Sequence, residues 1–115
     1  MTIQRANTIL YCGRWEETVR FYEETLMLPV LMRKEWFVEF RLSGSAALSV
    51  ADERRASISS AGGAGLTISL RVSDAEALRD ELTEKGVEPG PIRSIWGARA
   101  FYLSDPEGNR LEFWS

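Results

Sequence analysis

The chain has 115 residues, of which 44% are hydrophobic and 27% charged, a composition typical of one globular domain. It contains no histidine and one cysteine, which excludes Ser-His catalysis, His-liganded metal sites and an intrachain disulfide. The net charge of −3 argues against nucleic acid as a partner. No apolar run reaches the roughly 18 residues of a membrane helix, and the first residues lack the apolar stretch of a secretory signal. We therefore expect a cytoplasmic protein without membrane contact.

The first half of the chain predicts a strand, a helix and three further strands. Residues 8–12 are β-branched and aromatic, which favours a strand, and Gly13 follows them. From Trp15 the apolar residues recur at helical spacing, and the helix is predicted to stop before Pro29. Three strands are predicted near 30–35, 36–42 and 46–51, the last two joined by a turn at 43–45.

The second half predicts the same order of elements after a polar, glycine-rich linker over residues 52–65. A strand from Leu66 to Val72 alternates apolar and polar residues. Ser73 stands three residues before Glu76, the spacing of a capping box at the start of a helix, and Gly86 is its predicted end. Three strands are predicted near 92–95, 98–104 and 110–114, the last two joined by Asp105-Pro106-Glu107-Gly108-Asn109.

The repeated order of elements indicates an internal duplication. An offset of 60 residues lays Asn7–Cys12 on Thr67–Val72. Matching the later strands in order lays Phe40-Arg41-Leu42 on Phe101-Tyr102-Leu103 at an offset of 61, and Leu48-Ser49-Val50 on Leu111-Glu112-Phe113 at an offset of 63. Such a repeat predicts an α+β fold in one domain, residues 1–115, built from two modules. Module 1 covers about 1–51 and module 2 about 66–115, and together they are expected to enclose one cleft.

Two segments carry a resemblance to a known family. The first is Trp15 to Leu28 (WEETVRFYEETLML), and the second is Trp96 to Trp114 (WGARAFYLSDPEGNRLEFW), with its Asp-Pro-x-Gly-Asn turn. They resemble the first helix and the C-terminal hairpin of the vicinal-oxygen-chelate superfamily, which includes glyoxalases, extradiol dioxygenases and bleomycin-resistance proteins. The resemblance covers the whole chain and is greatest to the metal-free bleomycin-resistance branch. It implies two βαβββ modules that form a curved mixed sheet around a cleft.

The resemblance also identifies four positions at which metal-dependent members hold their ligands. Carried over to this chain, these positions are Asn7, Ser49, Thr67 and Glu112, of which only Glu112 is a strong ligand. Transition metals favour imidazole, thiolate or several carboxylates. We therefore expect no metal and no cofactor, and no metal-dependent glyoxalase or dioxygenase activity.

Strand alternation adds the side chains that share a face with these four positions. The predicted ligand-binding residues are Asn7, Ile9, Tyr11, Ser49, Thr67, Ser69, Arg71, Trp96, Tyr102, Glu112 and Trp114. They describe an aromatic-rich cavity with one acid and one base, which suits a planar, aromatic or partly cationic small molecule. Two roles stay open for Glu112, because it is expected either to pair with Arg71 or to contact the ligand.

Three functions remain open from the sequence. The first is a metal-free small-molecule binding protein that sequesters an antibiotic, as the bleomycin-resistance branch does. The second is a cofactor-free isomerase or lyase in which Glu112 acts as general base, its pKa raised by an apolar cleft. In that enzyme Arg71 or Tyr102 would stabilise developing negative charge. The third is a non-catalytic interaction module. A homodimer is expected in each case, since a partner usually completes the open sheet edges of this fold.

Overall fold

The computed structural model describes all 115 residues, and the chain forms two compact units, Met1–Gly62 and Gly63–Ser115. The first unit contains a four-stranded sheet in the order β1-β4-β3-β2, in which β1 and β4 are parallel and the other neighbours antiparallel. The predicted strands are confirmed in number and position. They are β1 (Ala6–Cys12), β2 (Val30–Lys34), β3 (Phe37–Ser43) and β4 (Ala46–Asp52).

The helix of the first unit changes its geometry part-way along. It begins as α1 (Trp15–Arg20) and continues as a π-helical turn over Phe21–Thr25, in which the N–H of Leu26 donates to the carbonyl of Phe21. A single α-helix ending before Pro29 was the expectation. The wider turn lets the adjacent residues Phe21 and Tyr22 both lie in the core, with their rings 5.1 Å apart and nearly perpendicular.

The second unit repeats this plan, with the sheet order β5-β8-β7-β6. Its helix α2 (Ala75–Glu84) packs against β7, and it ends, as predicted, at Gly86 with φ 86°. The expected cap at Ser73 is wrong, because the extended residue Asp74 accepts from the N–H of Ala77 instead. No helix is long and apolar enough to cross a membrane. The strands are β5 (Thr67–Arg71), β6 (Arg93–Ile95), β7 (Ala98–Ser104) and β8 (Arg110–Trp114).

The two sheets share strand order and strand direction, which agrees with the predicted duplication. Glu39 of β3 corresponds to Tyr102 of β7, since each lies opposite the equivalent residue of its last strand. The predicted alignment of Phe40 with Phe101 is therefore wrong by two residues. A slip of two residues leaves every side chain on the same face, so the hydrophobic pattern could not reveal it.

Alternation along the strands separates two faces of the second sheet. One face is buried against α2, where Phe101 and Phe113 stack with ring centres 5.3 Å apart. Leu82 of α2 is also buried, at 1% exposed. The residues between these strand positions point to the opposite face, which is where polar and aromatic side chains collect.

Candidate ligand-binding site

A pocket of about 490 Å³ lies on the second sheet, and all of its lining residues belong to the second unit. They are Ser69, Ile95, Trp96, Ala98, Ala100, Tyr102, Glu112 and Trp114. Five of these are among the predicted ligand-binding residues. Ile95, Ala98 and Ala100 were missed, because small and aliphatic side chains carry no chemical signature in the sequence. The alternation of Ala98, Ala100 and Tyr102 along β7 was the signal that would have found the two alanines.

Glu112 lies at the centre of a hydrogen-bonded row across three strands. Ser69 and Tyr102 both stand directly opposite Glu112 in the strand register. The Ser69 hydroxyl donates to Oε1 over 2.5 Å, and the Tyr102 hydroxyl donates to Oε2 over 2.9 Å. Each carboxylate oxygen therefore already has a protein donor.

The expected ion pair between Glu112 and Arg71 is absent. Arg71 stands opposite Trp114 in the register, and its guanidinium carbon lies 5.3 Å from the centre of a Trp114 ring. The stacking follows from this pairing, because a residue directly across a parallel ladder is closer than one two positions away. Arg71 consequently orients the indole at the pocket instead of neutralising the carboxylate.

The hydrogen bonds to Glu112 also decide the direction of its pKa. Donation from Ser69, then from Tyr102, holds the pKa of Glu112 below its ordinary value, and the nearby charge of Arg110 acts in the same direction. The prediction that an apolar cleft raises this pKa is therefore wrong, since the opposing effect of burial is smaller. The hydrogen bond from Tyr102 to Glu112 raises the pKa of Tyr102, because the phenol can donate it only while it keeps its proton.

Replacing Ser69 with alanine is expected to raise the pKa of Glu112, because the largest cause of its lowering is then removed. A carboxyl group whose pKa is lowered by folding stabilises the protein at a pH above the pKa of the unfolded state, here 4.5. This contribution is lost as the pH falls through the pKa of the folded state. The titration of the Glu112 carboxyl carbon by NMR measures the shift. Thr83→Val on α2, which removes a hydroxyl that donates to the carbonyl of Arg79, is the control, and an equal shift in both variants would contradict the assignment.

The pocket face carries more positive charge than the sequence indicated. Arg71, Arg93 and Arg110 occupy the same side of the sheet as the lining residues, and none has a carboxylate within ion-pair distance. Glu112 is the single carboxylate on this side. Of these arginines, only Arg71 was predicted on this face, whereas Arg93 and Arg110, each two residues from a lining position, were not.

Trp96 forms the tip of the hairpin that joins β6 to β7. Its side chain is 100% exposed, although it lines the pocket, and its backbone has φ 53°. Gly97 follows with φ 80°, so both central residues of this two-residue turn are left-handed. A bulky residue in this region is strained by about 1 kcal/mol or more. An exposed indole in a strained turn is a feature that folding alone does not require.

The remaining predicted site residues do not line this pocket. Asn7, Ile9, Tyr11 and Ser49 belong to the first unit, where the Ser49 hydroxyl donates to Asn7 Oδ1 over 2.8 Å. Ile9 is 38% exposed and Tyr11 is half-buried. Thr67 belongs to the second unit, but its hydroxyl accepts from Arg110 Nε over 2.8 Å. Its role as a ligand-binding residue of the pocket on the second sheet, called the main pocket below, therefore stays a prediction.

Comparison with known proteins identifies the family. The sequence profile of the Glyoxalase/Bleomycin resistance protein/Dioxygenase superfamily matches residues 3–113. The chain belongs to this superfamily. No curated protein sequence matches it significantly.

Solved structures of the superfamily share the fold across almost the whole chain. TnmS3, an antibiotic binding protein from Streptomyces sp. CB03234, is 22% identical with a TM-score of 0.80, covering 98% of this chain and 96% of that one. A glyoxalase/bleomycin resistance protein from the same source is 23% identical with a TM-score of 0.76, covering 97% and 100%. Lactoylglutathione lyase from Agrobacterium tumefaciens is 17% identical with a TM-score of 0.79, covering 98% and 93%. Similarity at these identities establishes the fold.

The metal found in many members of the superfamily does not fit the residues present here. The four corresponding positions supply one carboxylate, two hydroxyls and one amide, and each already has a hydrogen-bond partner in the protein. The structure contains no group of three or more His, Cys, Asp or Glu residues that could hold a metal ion. A cation at Glu112 would also meet the charge of Arg110.

Proposed function

We propose that this superfamily member binds a planar aromatic small molecule in the pocket of the second sheet, without a transition metal. Sequestration of an aromatic antibiotic is the biological role that we infer from this binding. The observation that carries the proposal is the composition of the pocket: two indoles and a phenol stand around small alanines. Such a surface accepts a flat ring system, and each Glu112 oxygen, which already accepts one protein hydrogen bond, has a second lone pair that can accept one from the ligand.

The exposed indole of Trp96 supports binding in particular. A ligand that covers a fully exposed indole removes its apolar surface from water, which the free protein leaves unburied. Trp114 lies across the same pocket and is held by the guanidinium of Arg71. The two indoles can therefore contact one ligand. Trp114 is held by stacking with Arg71, and Trp96 lies at the tip of the hairpin.

Binding is favoured over base catalysis because of the state of Glu112. A carboxylate with a lowered pKa and two protein donors is a weaker base than a free one. A carboxylate general base that works near neutral pH is most effective with a raised pKa, which is the opposite of this shift. The presence of an antibiotic binding protein among the similar structures supports a search among antibiotics, while the identity of the ligand has to be measured.

The charge of the pocket face favours a neutral or anionic ligand over a cationic one. Three guanidinium groups and one carboxylate lie on this side of the sheet. A cation would be repelled by this excess unless it contacted Glu112 directly. The proposal therefore keeps the predicted planar aromatic ligand and gives up the prediction that this ligand is partly cationic.

The test uses 5-fluorotryptophan, because each of the four tryptophans then gives its own fluorine signal. Titration with 2-naphthol is expected to shift the Trp96 and Trp114 signals saturably and to leave those of Trp15 and Trp36 in place. Trp114→Ala should weaken binding by about five- to twentyfold, since an aromatic contact and its buried area are removed. Trp36→Ala in the first unit is the matched control.

The same titration is then repeated with metal-free bleomycin and with a panel of aromatic antibiotics, and the recovered compounds are identified by mass spectrometry. Unchanged compound after saturable binding is the result expected of sequestration. Conversion of a bound compound would instead favour the enzyme, and Glu112→Gln would then test its base. Fluorine signals that stay in place with every compound would refute the proposed pocket.

Three further expectations belong to the proposal. The first is a homodimer, supported by the edge strand β2, whose residues Val30, Leu31 and Met32 are 37%, 48% and 38% exposed. The second is the absence of a bound transition metal, supported by the donor chemistry described above. The third is a cytoplasmic location, with which a single cysteine that forms no disulfide is compatible. Sedimentation and elemental analysis of the purified protein test the first two.

A further inference from the structure

We propose that the second unit contains a separate subsite for an oxyanion, a carboxylate or a phosphate, on the ligand. The subsite is an open hollow of about 460 Å³ lined by Gly63, Gly65, Leu66, Thr67 and Arg110. The inference rests on the proposed function, since the aromatic part of the same ligand would occupy the main pocket. It makes the ligand an aromatic acid or an aromatic phosphate.

The guanidinium of Arg110 is oriented by two contacts but makes no ion pair. Its Nε donates to the hydroxyl of Thr67 over 2.8 Å, and its central carbon lies 4.5 Å from the centre of the Tyr102 ring. No carboxylate lies within ion-pair distance of it. The two terminal nitrogens are therefore left for a ligand, and the planar fork of an arginine matches both oxygens of a carboxylate or phosphate.

Gly63 and Gly65 also line the hollow, and they contribute only backbone atoms to it. The N–H groups of Gly63 and Gly65 donate to no other protein group, and both residues have positive φ, 85° and 79°. Backbone N–H groups in such turns form concave sites for anions. A Cβ at Gly63 would lie 2.1 Å from the carbonyl oxygen of Gly108, so this segment is seated tightly on the β7–β8 turn. The subsite is consequently formed before a ligand arrives.

Tyr102 connects the two subsites. Its side chain lines the main pocket, and the guanidinium of Arg110 stacks over its ring. Glu112 makes no direct ion pair with Arg110, although the guanidinium is near enough to lower the pKa of Glu112, because its two oxygens accept from Ser69 and Tyr102. An aromatic ring in the main pocket would therefore lie near Arg110, and an acidic substituent on that ring could pair with the guanidinium.

The experiment compares three probes that share one ring system: 2-naphthol, 2-naphthoate and 2-naphthyl phosphate. Fluorine signals of Trp96 and Trp114 report the main pocket, while backbone amide signals of Gly63 and Gly65 and the Nε signal of Arg110 report the subsite. At pH 7 we expect one or both anions to bind about five- to tenfold more tightly than naphthol, with the subsite signals shifting only for the anions. The better anion identifies the chemistry of the missing group.

Two arginine variants separate the subsite from general charge. Arg110→Gln is expected to remove the roughly five- to tenfold advantage of the anions, measured as the ratio of the Kd for naphthol to the Kd for each anion in the same variant. Arg99→Gln is the matched control, because Arg99 lies in the same unit but pairs with Glu76. Loss of the advantage in both variants would overturn the subsite, as it would indicate net charge alone.

The outcomes also separate the two proposals. If naphthol shifts Trp96 and Trp114 but neither anion binds more tightly, the oxyanion subsite is refuted and the aromatic pocket stands. If naphthol and the anions leave both indoles in place, the aromatic pocket is refuted. Inorganic phosphate alone then tests the hollow: shifts of Gly63, Gly65 and Arg110 that vanish in Arg110→Gln support it, and their absence refutes it.

Discussion

Replacing Asp105 with alanine is expected to lower the free energy of unfolding by about 2–4 kcal/mol. Asp105 is 4% exposed, and its side chain organises the β7–β8 turn. Its Oδ1 accepts from the N–H groups of Glu107 and Asn109, each over 2.9 Å, and its Oδ2 accepts from Asn109 Nδ2 over 2.9 Å. Alanine leaves these donors without an acceptor in a place where Asn109 is also only 4% exposed.

Asp105→Asn is the matched variant for this prediction. Its side-chain oxygen can still accept from the two backbone N–H groups, but its amide nitrogen cannot accept from Asn109. We therefore expect about half of the loss seen with alanine, measured by urea unfolding with an unchanged m value. Equal stability of the alanine variant and the parent chain would show that water replaces the carboxylate, contrary to our assignment.

Replacing Gly63 with alanine is expected to destabilise the protein by about 2–4 kcal/mol, through two separate effects. The added Cβ would lie 2.1 Å from the Gly108 oxygen and 2.8 Å from the Asn109 Cα, so the backbone has to move. The φ of 85° also disfavours any residue with a Cβ, by about 1 kcal/mol. Thermal unfolding measures the sum, with an expected fall in Tm on the order of 10 °C.

Gly65→Ala separates the close contact from the backbone strain. Gly65 has nearly the same φ, 79°, but a Cβ there meets nothing within 4 Å. We expect it to lose only the conformational part, about 1 kcal/mol. If both alanine variants lost the same amount, the tight seating of Gly63 on the turn would not exist in solution, and the subsite beside it would lose its rigidity.

Most of the fold could be predicted because its signals are local. Turn residues such as Gly44 and Gly86 mark where strands and helices end, and both adopt positive φ in the structure. Alternation within each strand correctly predicted which residues share a face, including Ser69 and Glu112. The repeated order of elements then predicted two similar sheets, since each half had to bury one apolar face against its own helix.

The predicted site was less complete, because a site depends on which strands are neighbours and in which register. Alternation gave the face of Arg71 correctly but not its partner, and the register places it opposite Trp114. The direction of the pKa shift of Glu112 was predicted wrongly for the same reason, because it depends on the residues of the neighbouring strands. An apolar environment was expected from the aromatic neighbours, whereas two hydroxyls from adjacent strands hydrogen-bond the carboxylate and lower its pKa.

The sequence by itself determined the family, the duplicated order of strands and helices, and the face on which each strand residue lies. These depend on periodicity and turn chemistry, which act over a few residues. Only the tertiary structure decided that Arg110 remains unpaired beside Tyr102, and that Gly63 is seated on the turn at Gly108. Such contacts join residues that are distant in the chain, and strand register, which periodicity leaves open in steps of two, brings them together.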